Sequence, residues 1–239
     1  MHVLVTGASG SIGVAIVEKL AGAATKLSLH YGKNEAKARS LGVSCEEAGS
    51  QVTLIQADLT TFAGADKLLE GLTTPVDVII HNAGVQAVHL LQDVSDEQLQ
   101  RLMTIHLLNP IRITRSLLPE MIYKKAGSIV FVSSIWGLAG ASCESIYASA
   151  KGGVNAFMKS VAKECAPSGI RANAVAPGAI AGAMMETYDT AEIQEMADDI
   201  PAGRLGVPGE VAEAVYFLAS AQASYVNGQV LSVNGAWHC

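Results

Sequence analysis

The sequence lacks the features that mark nucleic-acid-binding and membrane proteins. It has 16 Lys and Arg against 22 Asp and Glu, a formal net charge of −6, and no block of basic residues. Aromatic residues make up only 5% of the chain, too few for a platform on which bases stack. No apolar run approaches the roughly 20 residues that a membrane-spanning helix needs. We therefore expect neither nucleic acid nor a membrane as a partner.

Signals for export and for metal binding are also missing. The first residues enter a strand and a glycine turn without the basic and long apolar regions of a signal peptide, which favours a cytoplasmic protein. The four cysteines, Cys45, Cys143, Cys165 and Cys239, form no CxxC pair and no Cys/His cluster. Neither a disulfide framework nor a metal site is predicted. Cys143 lies close before Tyr147, and its reactivity is left open.

Apolar strand-like runs alternate with helical segments along the whole chain. Half of the 239 residues are apolar, enough to bury a substantial core in one domain. Alternating strands and helices imply parallel βαβ units, whose ligands bind beyond the carboxyl ends of the strands. The sequence thus predicts an α/β fold in which residues 1–239 form a single domain. The predicted strands are Val3–Val5, Leu27–Tyr31, Val52–Ala57, Val76–His81, Ser128–Ser133, Ile170–Ala176 and Gln229–Val233.

A glycine-rich turn, TGASGSIG, follows the first strand and leads into a helix. In that context backbone N–H groups and a helix N-terminus can bind a pyrophosphate, and a simple tight turn is the alternative. The second strand ends in HYGKN, with no acidic residue to bind the ribose hydroxyl of NAD. Lys33 and Asn34 can instead accept a 2′-phosphate, which favours NADPH over NADH. A solvated loop lysine is the competing explanation for Lys33.

Tyr147 and Lys151 are spaced i, i+4, which places both side chains on one face of a helix. Ser134 lies at the end of the preceding apolar run. A nearby ammonium stabilises a phenolate, so we expect Lys151 to lower the pKa of Tyr147 from its usual value of about 10. Tyr147 could then donate a proton to a ketone oxygen to which Ser134 is hydrogen-bonded. Taken alone, the spacing is more typical of an amphipathic surface helix than of a catalytic pair.

Two other stretches depart from a regular pattern of strands and helices. A long helix is predicted from a capping box at Ser95 and Gln98 to about Tyr123, and Pro110 and Pro119 interrupt it, with a kink or break expected near residues 106–110. Residues 179–206 form a small amphipathic insert. We predict a lid over the substrate pocket, with a pair of surface helices as the alternative.

Together these motifs resemble the short-chain dehydrogenase/reductase family in order and spacing, over the whole chain. The resemblance implies a Rossmann-type doubly wound parallel sheet of about seven strands, a nicotinamide cofactor, and a tetramer or dimer. It assigns Tyr147 as proton donor, Ser134 as carbonyl-polarising group, and Lys151 as partner of Tyr147 and of the nicotinamide ribose, with His106 as a fourth catalytic position. The cofactor contacts it implies are Gly7, Ser9, Gly10, Ser11, Ile12, Gly13, Tyr31, Lys33, Asn34, Asp58 (to adenine), Leu59, Asn82, Ala83, Gly84, Tyr147, Lys151, Pro177, Gly178 and Ile180.

Three positions depart from the family pattern. Ser11 stands where the family usually has glycine, and Gly182 stands where it usually has a threonine that contacts the cofactor. His106 replaces an asparagine that helps to hold a helix kink and a water in the proton relay. Either His106 takes over this role with a different hydrogen-bond pattern, or Asn109 compensates.

Within the family, the segments SSIWG, GASCE, NAVAPGA and LSVNGAWHC resemble bacterial elongation factor P 5-aminopentanone reductases, while HYGKNEAKA resembles the NADPH segment of β-ketoacyl-[acyl carrier protein] reductases. Trp136, Glu144 and Met184 are candidate substrate contacts. Glu144 could pair with the amine of an aminopentanone, or it could simply stabilise the helix dipole. Uncharged residues at Ser128 and Ser168 speak against docking of an acidic carrier. A reductase of acyl-carrier or small ketones, and a non-catalytic NADP-binding regulator, are the alternatives.

Overall fold

The fold is built on a parallel sheet, seen in a computed structural model that describes residues 1–86, 88–183, 185 and 188–239. Within these residues seven strands pair in the order β3-β2-β1-β4-β5-β6-β7. The direction of winding reverses between β1 and β4, so a ligand crevice opens beyond the carboxyl ends of these strands. The predicted α/β class is confirmed. The strands are β1 (His2–Val5), β2 (Lys26–Tyr31), β3 (Gln51–Gln56), β4 (Val78–His81), β5 (Gly127–Val132), β6 (Ile170–Pro177) and β7 (Val230–Val233).

Helices cover both faces of this sheet. One apolar cluster lies under α1, α2 and α9, and a second lies under α3, α5 and α7. Because both faces are covered, the central strands are continuous apolar runs rather than alternating ones. No helix in the described ranges is long and apolar enough to span a bilayer. The helices are α1 (Ser11–Leu20), α2 (Glu35–Glu47), α3 (Phe62–Glu70), α4 (Asp96–Met103), α5 (Asn109–Lys124), α6 (Trp136–Ala139), α7 (Ser145–Cys165), α8 (Thr190–Asp199) and α9 (Pro208–Ala219).

The predicted break in the long helix is a π-helical turn, Thr104–Leu108, between α4 and α5. Pro110 has no N–H, and in a regular helix its ring would clash with the carbonyl of His106, so the local turn widens. The N–H of Asn109 accordingly bonds to the carbonyl of Thr104. The widened turn positions His106 on the side that faces the crevice residues Val85 and Tyr147.

The capping box at Ser95 and Gln98 is present as predicted, but the expected interruption at Pro119 is wrong. Helix α5 continues through Pro119 to Lys124. Pro119 lies on an exposed face, where the carbonyl that loses its donor can bond to water. Pro119 is therefore accommodated within α5, whereas the turn before Pro110, whose residues Thr104–His106 are buried, widens.

The two ends of the insert at residues 179–206 pair with each other. Ile180 forms a parallel bridge to Gly206, and α8 lies between these two residues. A capping box of Asp189 and Glu192 starts α8. That the insert acts as a lid stays a prediction.

Candidate active site

The turn between β1 and α1 brings backbone N–H groups to the crevice. Gly7 has a φ of 66°, and a Cβ there would lie 2.7 Å from the Cα of Ala83. A Cβ on Gly13 would overlap the carbonyl oxygen of Gly7. Gly10 precedes α1, and no side chain caps the helix, so the N–H groups of its first turn can face an anion. This cradle fits the pyrophosphate of a dinucleotide.

His30, at the carboxyl end of β2, fixes this turn and was missed by the sequence analysis. Its Nδ1 accepts a hydrogen bond from the N–H of Gly7 at 3.0 Å. Its Nε2 lies 3.1 Å from the carbonyl oxygen of Ala57, which makes Nε2 the protonated nitrogen. Burial lowers the pKa of His30 to about 4, so the ring is neutral at pH 7. A histidine next to the last residue of a mostly buried strand was the available signal.

Asn82 ties the end of β4 to the same turn. Its amide nitrogen donates to the carbonyls of Thr6 and Gly7 at 3.1 and 3.0 Å. The Thr6 hydroxyl in turn accepts the N–H groups of Asn82 and Ala83 at 2.9 and 3.0 Å. The segment at residues 82–84 thus lies beside the phosphate turn, and its cofactor contacts stay predictions.

The segment predicted to hold the 2′-phosphate, residues 30–34, contains one cationic side chain, Lys33, which is exposed. Asn34 has a structural role, because its side-chain oxygen accepts the N–H of Lys37 and caps α2. Asp58, predicted to contact adenine, accepts hydrogen bonds from the N–H and hydroxyl of Thr60 at 3.0 and 2.7 Å. These bonds lower the pKa of Asp58 and keep its carboxylate ionised. The residues present fit a phosphorylated ribose, with Lys33 as the charged partner.

Ser134 lies just beyond the carboxyl end of β5, and Tyr147 lies near it on α7. The Ser134 hydroxyl oxygen accepts the N–H of Trp136 at 3.1 Å. Because its oxygen is held by Trp136, Ser134 can direct its own proton to a substrate oxygen. Burial raises the pKa of Tyr147 to about 12, so the phenol keeps its proton at pH 7.

Lys151 lies one turn after Tyr147 and is 6% exposed. Its Nζ donates to the carbonyl of Val132 at 2.8 Å and lies 5.5 Å from the centre of the Tyr147 ring. The predicted lowering of the Tyr147 pKa by Lys151 is not seen, because burial dominates and the Glu144 carboxylate raises that pKa further. Burial also lowers the pKa of Lys151, to about 8.

A glycine lets α6 approach α7 at this lysine. A Cβ on Gly137 would lie 2.8 Å from the carbonyl carbon of Lys151. The Asn155 side chain donates to the Gly137 carbonyl at 3.1 Å and fastens the two helices together. This close packing sets the position of Ser134, just before α6, relative to Lys151 on α7.

His106 packs edge-to-face on Tyr147, with ring centroids 4.9 Å apart. Its Nε2 lies 2.8 Å from the carbonyl of Val85, which assigns the proton to Nε2, and its buried Nδ1 has no hydrogen-bond partner in the described part of the chain. Burial, reinforced by Lys151, lowers the pKa of His106 to about 3. A cavity with room for about one water molecule is lined by His106 and Lys151.

Asn109 does not stand in for the family's asparagine. Its side-chain nitrogen donates to the carbonyls of Leu59 and Thr61, each at 2.8 Å. Asn109 therefore anchors the loop after β3, away from Tyr147. Of the two candidates weighed from the sequence, His106 is the one in contact with the site.

The departures at Ser11 and Gly182 are in contact with each other. The Ser11 hydroxyl oxygen accepts the N–H of Ala183 at 3.0 Å. Gly182 has a φ of 149°, and a Cβ there would lie 2.5 Å from the Ser11 Oγ. The serine side chain thus fills space that a larger residue at 182 would need. A hydroxyl, that of Ser11, thus lies beside position 182 although residue 182 carries none.

Of the three candidate substrate residues, the structure describes Glu144 and Trp136. Glu144 immediately precedes α7 and does not cap it through its side chain, and partial burial raises the pKa of its carboxyl. Trp136 stacks edge-to-face on Trp237, with centroids 5.3 Å apart. Trp237 was not anticipated, since it lies about 100 residues further along the chain. Met184 lies outside the described residues.

The argument against an acidic carrier from Ser128 and Ser168 is wrong. Ser128 is buried at the start of β5 and donates to the carbonyl of Leu218. Ser168 lies just before β6. Both are at the amino ends of their strands, opposite the crevice, so their charge carries no information on substrate docking.

Comparison with known proteins agrees with this geometry. A family model described as short chain dehydrogenase matches residues 1–193. An uncharacterized oxidoreductase, YmfI, of Bacillus subtilis is 49% identical over 99% of this chain and 98% of its own length. The 3-oxoacyl-[acyl-carrier-protein] reductase FabG of Vibrio harveyi is 34% identical over 98% of this chain and 96% of its own length. The crystal structure of a 3-oxoacyl-[acyl-carrier protein] reductase from Brucella melitensis has a TM-score of 0.92 at 27% identity and covers 100% of this chain and 91% of its own.

Proposed function

Because this chain belongs to the short-chain dehydrogenase family, we propose that it is a cytoplasmic NADPH-dependent ketone reductase whose substrate is the 5-aminopentanone modification on a lysine of elongation factor P. Interconversion of a carbonyl and an alcohol is the chemistry of the family. The observation that carries the proposal is the placement of Ser134, just beyond β5, beside Tyr147 and Lys151, which lie one turn apart on α7, with the Lys151 Nζ 5.5 Å from the centre of the Tyr147 ring.

The side chains around the substrate oxygen have separate tasks in the reduction. Ser134, whose oxygen is held by the N–H of Trp136, donates a hydrogen bond to the carbonyl oxygen. Tyr147 then gives its proton to that oxygen, and Lys151 compensates the charge left on the phenolate. The hydride comes from the nicotinamide cofactor when it is bound. The N–H groups of the glycine turn and Lys33 are the groups that would hold its phosphates.

Glu144 and the sequence segments around the site favour an amine-bearing substrate. The Glu144 carboxylate is close enough to Tyr147 to raise the pKa of the phenol, which places a negative group beside the reacting oxygen. An acyl chain offers nothing to neutralise that group, whereas a primary amine does. The identity to an oxidoreductase whose name gives no substrate is 49%, against 34% to an acyl-carrier-protein reductase, which leaves room for a substrate other than an acyl carrier protein.

Reduction of a 3-oxoacyl-[acyl-carrier-protein] is the second candidate. It is favoured by relatives with that name that match this chain over nearly its whole length. Both candidates use the same Ser134 and Tyr147, and they differ only in what lies beyond the ketone.

The discriminating experiment follows NADPH oxidation at 340 nm with purified protein. We expect elongation factor P that carries the aminopentanone to be turned over much faster than a β-ketoacyl thioester, and Tyr147→Phe to abolish turnover of both. Tyr123→Phe is the matched control, because Tyr123 is 85% exposed. Faster turnover of the thioester would establish the second candidate. NADPH binding without turnover of either substrate would indicate a regulator that has kept the fold.

We also propose a homotetramer that associates through α4–α5 and α7. Light scattering coupled to size-exclusion chromatography tests this directly. A monomer at micromolar concentration would refute it.

A further inference from the structure

The C-terminal tail, residues 234–239, is fastened at the carboxyl end of the sheet. Just after β6, a Cβ on Gly178 would lie 3.0 Å from the Cβ of Asn234, so the two segments are in close contact. The N–H of Ala202, in the insert, bonds to the carbonyl of Gly235 at 3.1 Å. These contacts keep the tail at the same end of the sheet as the crevice.

A tight turn within the tail directs Trp237 back towards Trp136. Gly235 and Ala236 both have a left-handed backbone, with φ values of 61° and 67°. That conformation is unfavourable for an alanine and persists only where the surrounding contacts impose it. Here the Asn234 side-chain oxygen accepts the N–H of Ala236 at 3.1 Å, and the N–H of Trp237 bonds to the carbonyl of Asn234 at 3.0 Å. The turn thus sets the position of the Trp237 indole.

The indole of Trp237 packs on Trp136, the residue that is hydrogen-bonded to Ser134. The two rings meet edge-to-face at 5.3 Å with an interplanar angle of 62°, and the N–H of Trp136 donates to the Ser134 Oγ at 3.1 Å. Trp136 begins α6, which has only four residues, and a helix that short depends on packing for its position. The contact with Trp237 therefore helps to hold the N–H of Trp136 against Ser134.

We propose that Trp237 is a positioning residue for the reduction, which acts through Trp136 to orient the hydroxyl of Ser134 towards the substrate oxygen. This inference rests on the proposed function, in which Ser134 donates a hydrogen bond to the carbonyl. A serine hydroxyl rotates freely unless its oxygen is held, so loss of the indole contact lets it leave the productive orientation. The effect falls on the chemical step, whereas binding of the cofactor is unaffected.

Steady-state turnover separates this role from a purely structural one. With whichever of the two proposed ketones is turned over, Trp237→Leu should lower kcat by about tenfold and leave the KM for NADPH within about twofold. Trp237→Phe keeps an aromatic ring and should restore most of the lost kcat. Tyr225→Leu is the matched control, because it removes an exposed aromatic side chain near the same end of the chain. Melting temperatures show whether each variant is folded, and Trp237→Met replaces Trp237→Leu if the latter is not. An unchanged kcat in the folded variant would overturn the proposal.

A double-mutant cycle tests whether Trp237 acts through Ser134. In the background of Ser134→Ala, Trp237→Leu should lower kcat by less than about twofold, because the hydroxyl that it positions is already gone. A further tenfold loss in that background would show that Trp237 acts independently of Ser134, which would refute the proposed route.

A measurement without turnover keeps this proposal separate from the proposed substrates. In protein labelled with ¹⁵N-tryptophan, Trp237→Leu and Trp237→Phe each retain a single tryptophan, Trp136, whose backbone N–H is the donor to Ser134. We expect this N–H to exchange with deuterium about three- to tenfold faster in Trp237→Leu, the factor that an aromatic pair is worth. Faster exchange without turnover of either ketone would support the coupling of Trp237 to Ser134 and refute both proposed substrates. Turnover with equal exchange in the two variants would support the proposed function and refute the role of Trp237.

Discussion

Replacing a buried histidine with glutamine should flatten the dependence of stability on pH between about pH 5 and pH 6.5. His30, His81 and His106 are 3%, 5% and 3% exposed. Burial lowers their pKa values to about 4, 3 and 3. In the unfolded chain a histidine has a pKa of about 6.5, so on acidification the unfolded state binds protons that the folded state refuses. The stability that these residues contribute is complete above pH 6.5 and is lost as pH falls towards the folded values.

The loss is large enough to unfold the protein. At about 1.36 kcal/mol per pK unit, each histidine lowers the free energy of unfolding by about 2 kcal/mol between pH 7 and pH 5. The three together remove about 6 kcal/mol, against a typical total of about 5–15 kcal/mol. Of the three, His30 supports the phosphate turn and His106 packs on Tyr147. Acid should therefore disrupt the site together with the fold.

Urea unfolding at a fixed protein concentration and at several pH values measures this slope. Near pH 5.5 we expect roughly 4 kcal/mol per pH unit, and His81→Gln should reduce the slope by about 1.2 kcal/mol per pH unit. Val215→Ala, at a fully buried apolar position, should lower stability by the same amount at every pH. If His81→Gln shifted the curve without changing its slope, the argument from buried neutral histidines would be wrong.

Four single substitutions test the site itself. Tyr147→Phe should lower kcat in the NADPH oxidation assay by about 10²–10⁴-fold, because it removes the proton donor. Lys151→Met should lower activity yet raise the free energy of unfolding at pH 7 by about 1–3 kcal/mol, since the folded pKa of about 8 means that burying the ammonium is unfavourable below the unfolded value of about 10.4. A merely structural lysine would lose stability instead. Ser11→Ala leaves the Ala183 N–H without its acceptor and should raise the KM for NADPH several-fold, with thermal stability as the check on folding. Gly137→Ala places a Cβ against α7 and should cost about 1–3 kcal/mol in urea unfolding.

The sheet and the central site residues were predictable because their signals are local. Buried parallel strands are short apolar runs, and the i, i+4 spacing of Tyr147 and Lys151 fixes their shared face once α7 exists. Ser134 follows from its position at the end of β5. An irregularity near His106 was predictable too, since Pro110 cannot complete a regular helix there, but its π-helical form was not.

Other parts of the site depend on contacts between residues far apart in sequence. Ser11 and Gly182 look like two separate losses until the fold brings them together. Trp237 joins Trp136 only because the C-terminal tail turns back over the insert. The inference from Ser128 failed because this residue lies at the amino end of β5, whereas ligands bind beyond the carboxyl ends of the strands.

The ionisable groups around the reacting oxygen share one physical setting. Burial raises the pKa of the acid, Tyr147, to about 12 and lowers those of the bases, Lys151 and His106, to about 8 and 3. Each shift favours an uncharged group, and of the charged groups near the phenol the Glu144 carboxylate opposes a phenolate while the Lys151 ammonium stabilises it. In such a medium a phenolate interacts strongly with an ammonium nearby, and Lys151 has its Nζ only 5.5 Å from the ring centre. In the proposed mechanism the lysine that weakens the folded state is therefore the group that stabilises the transition state, so its unfavourable burial serves the chemistry.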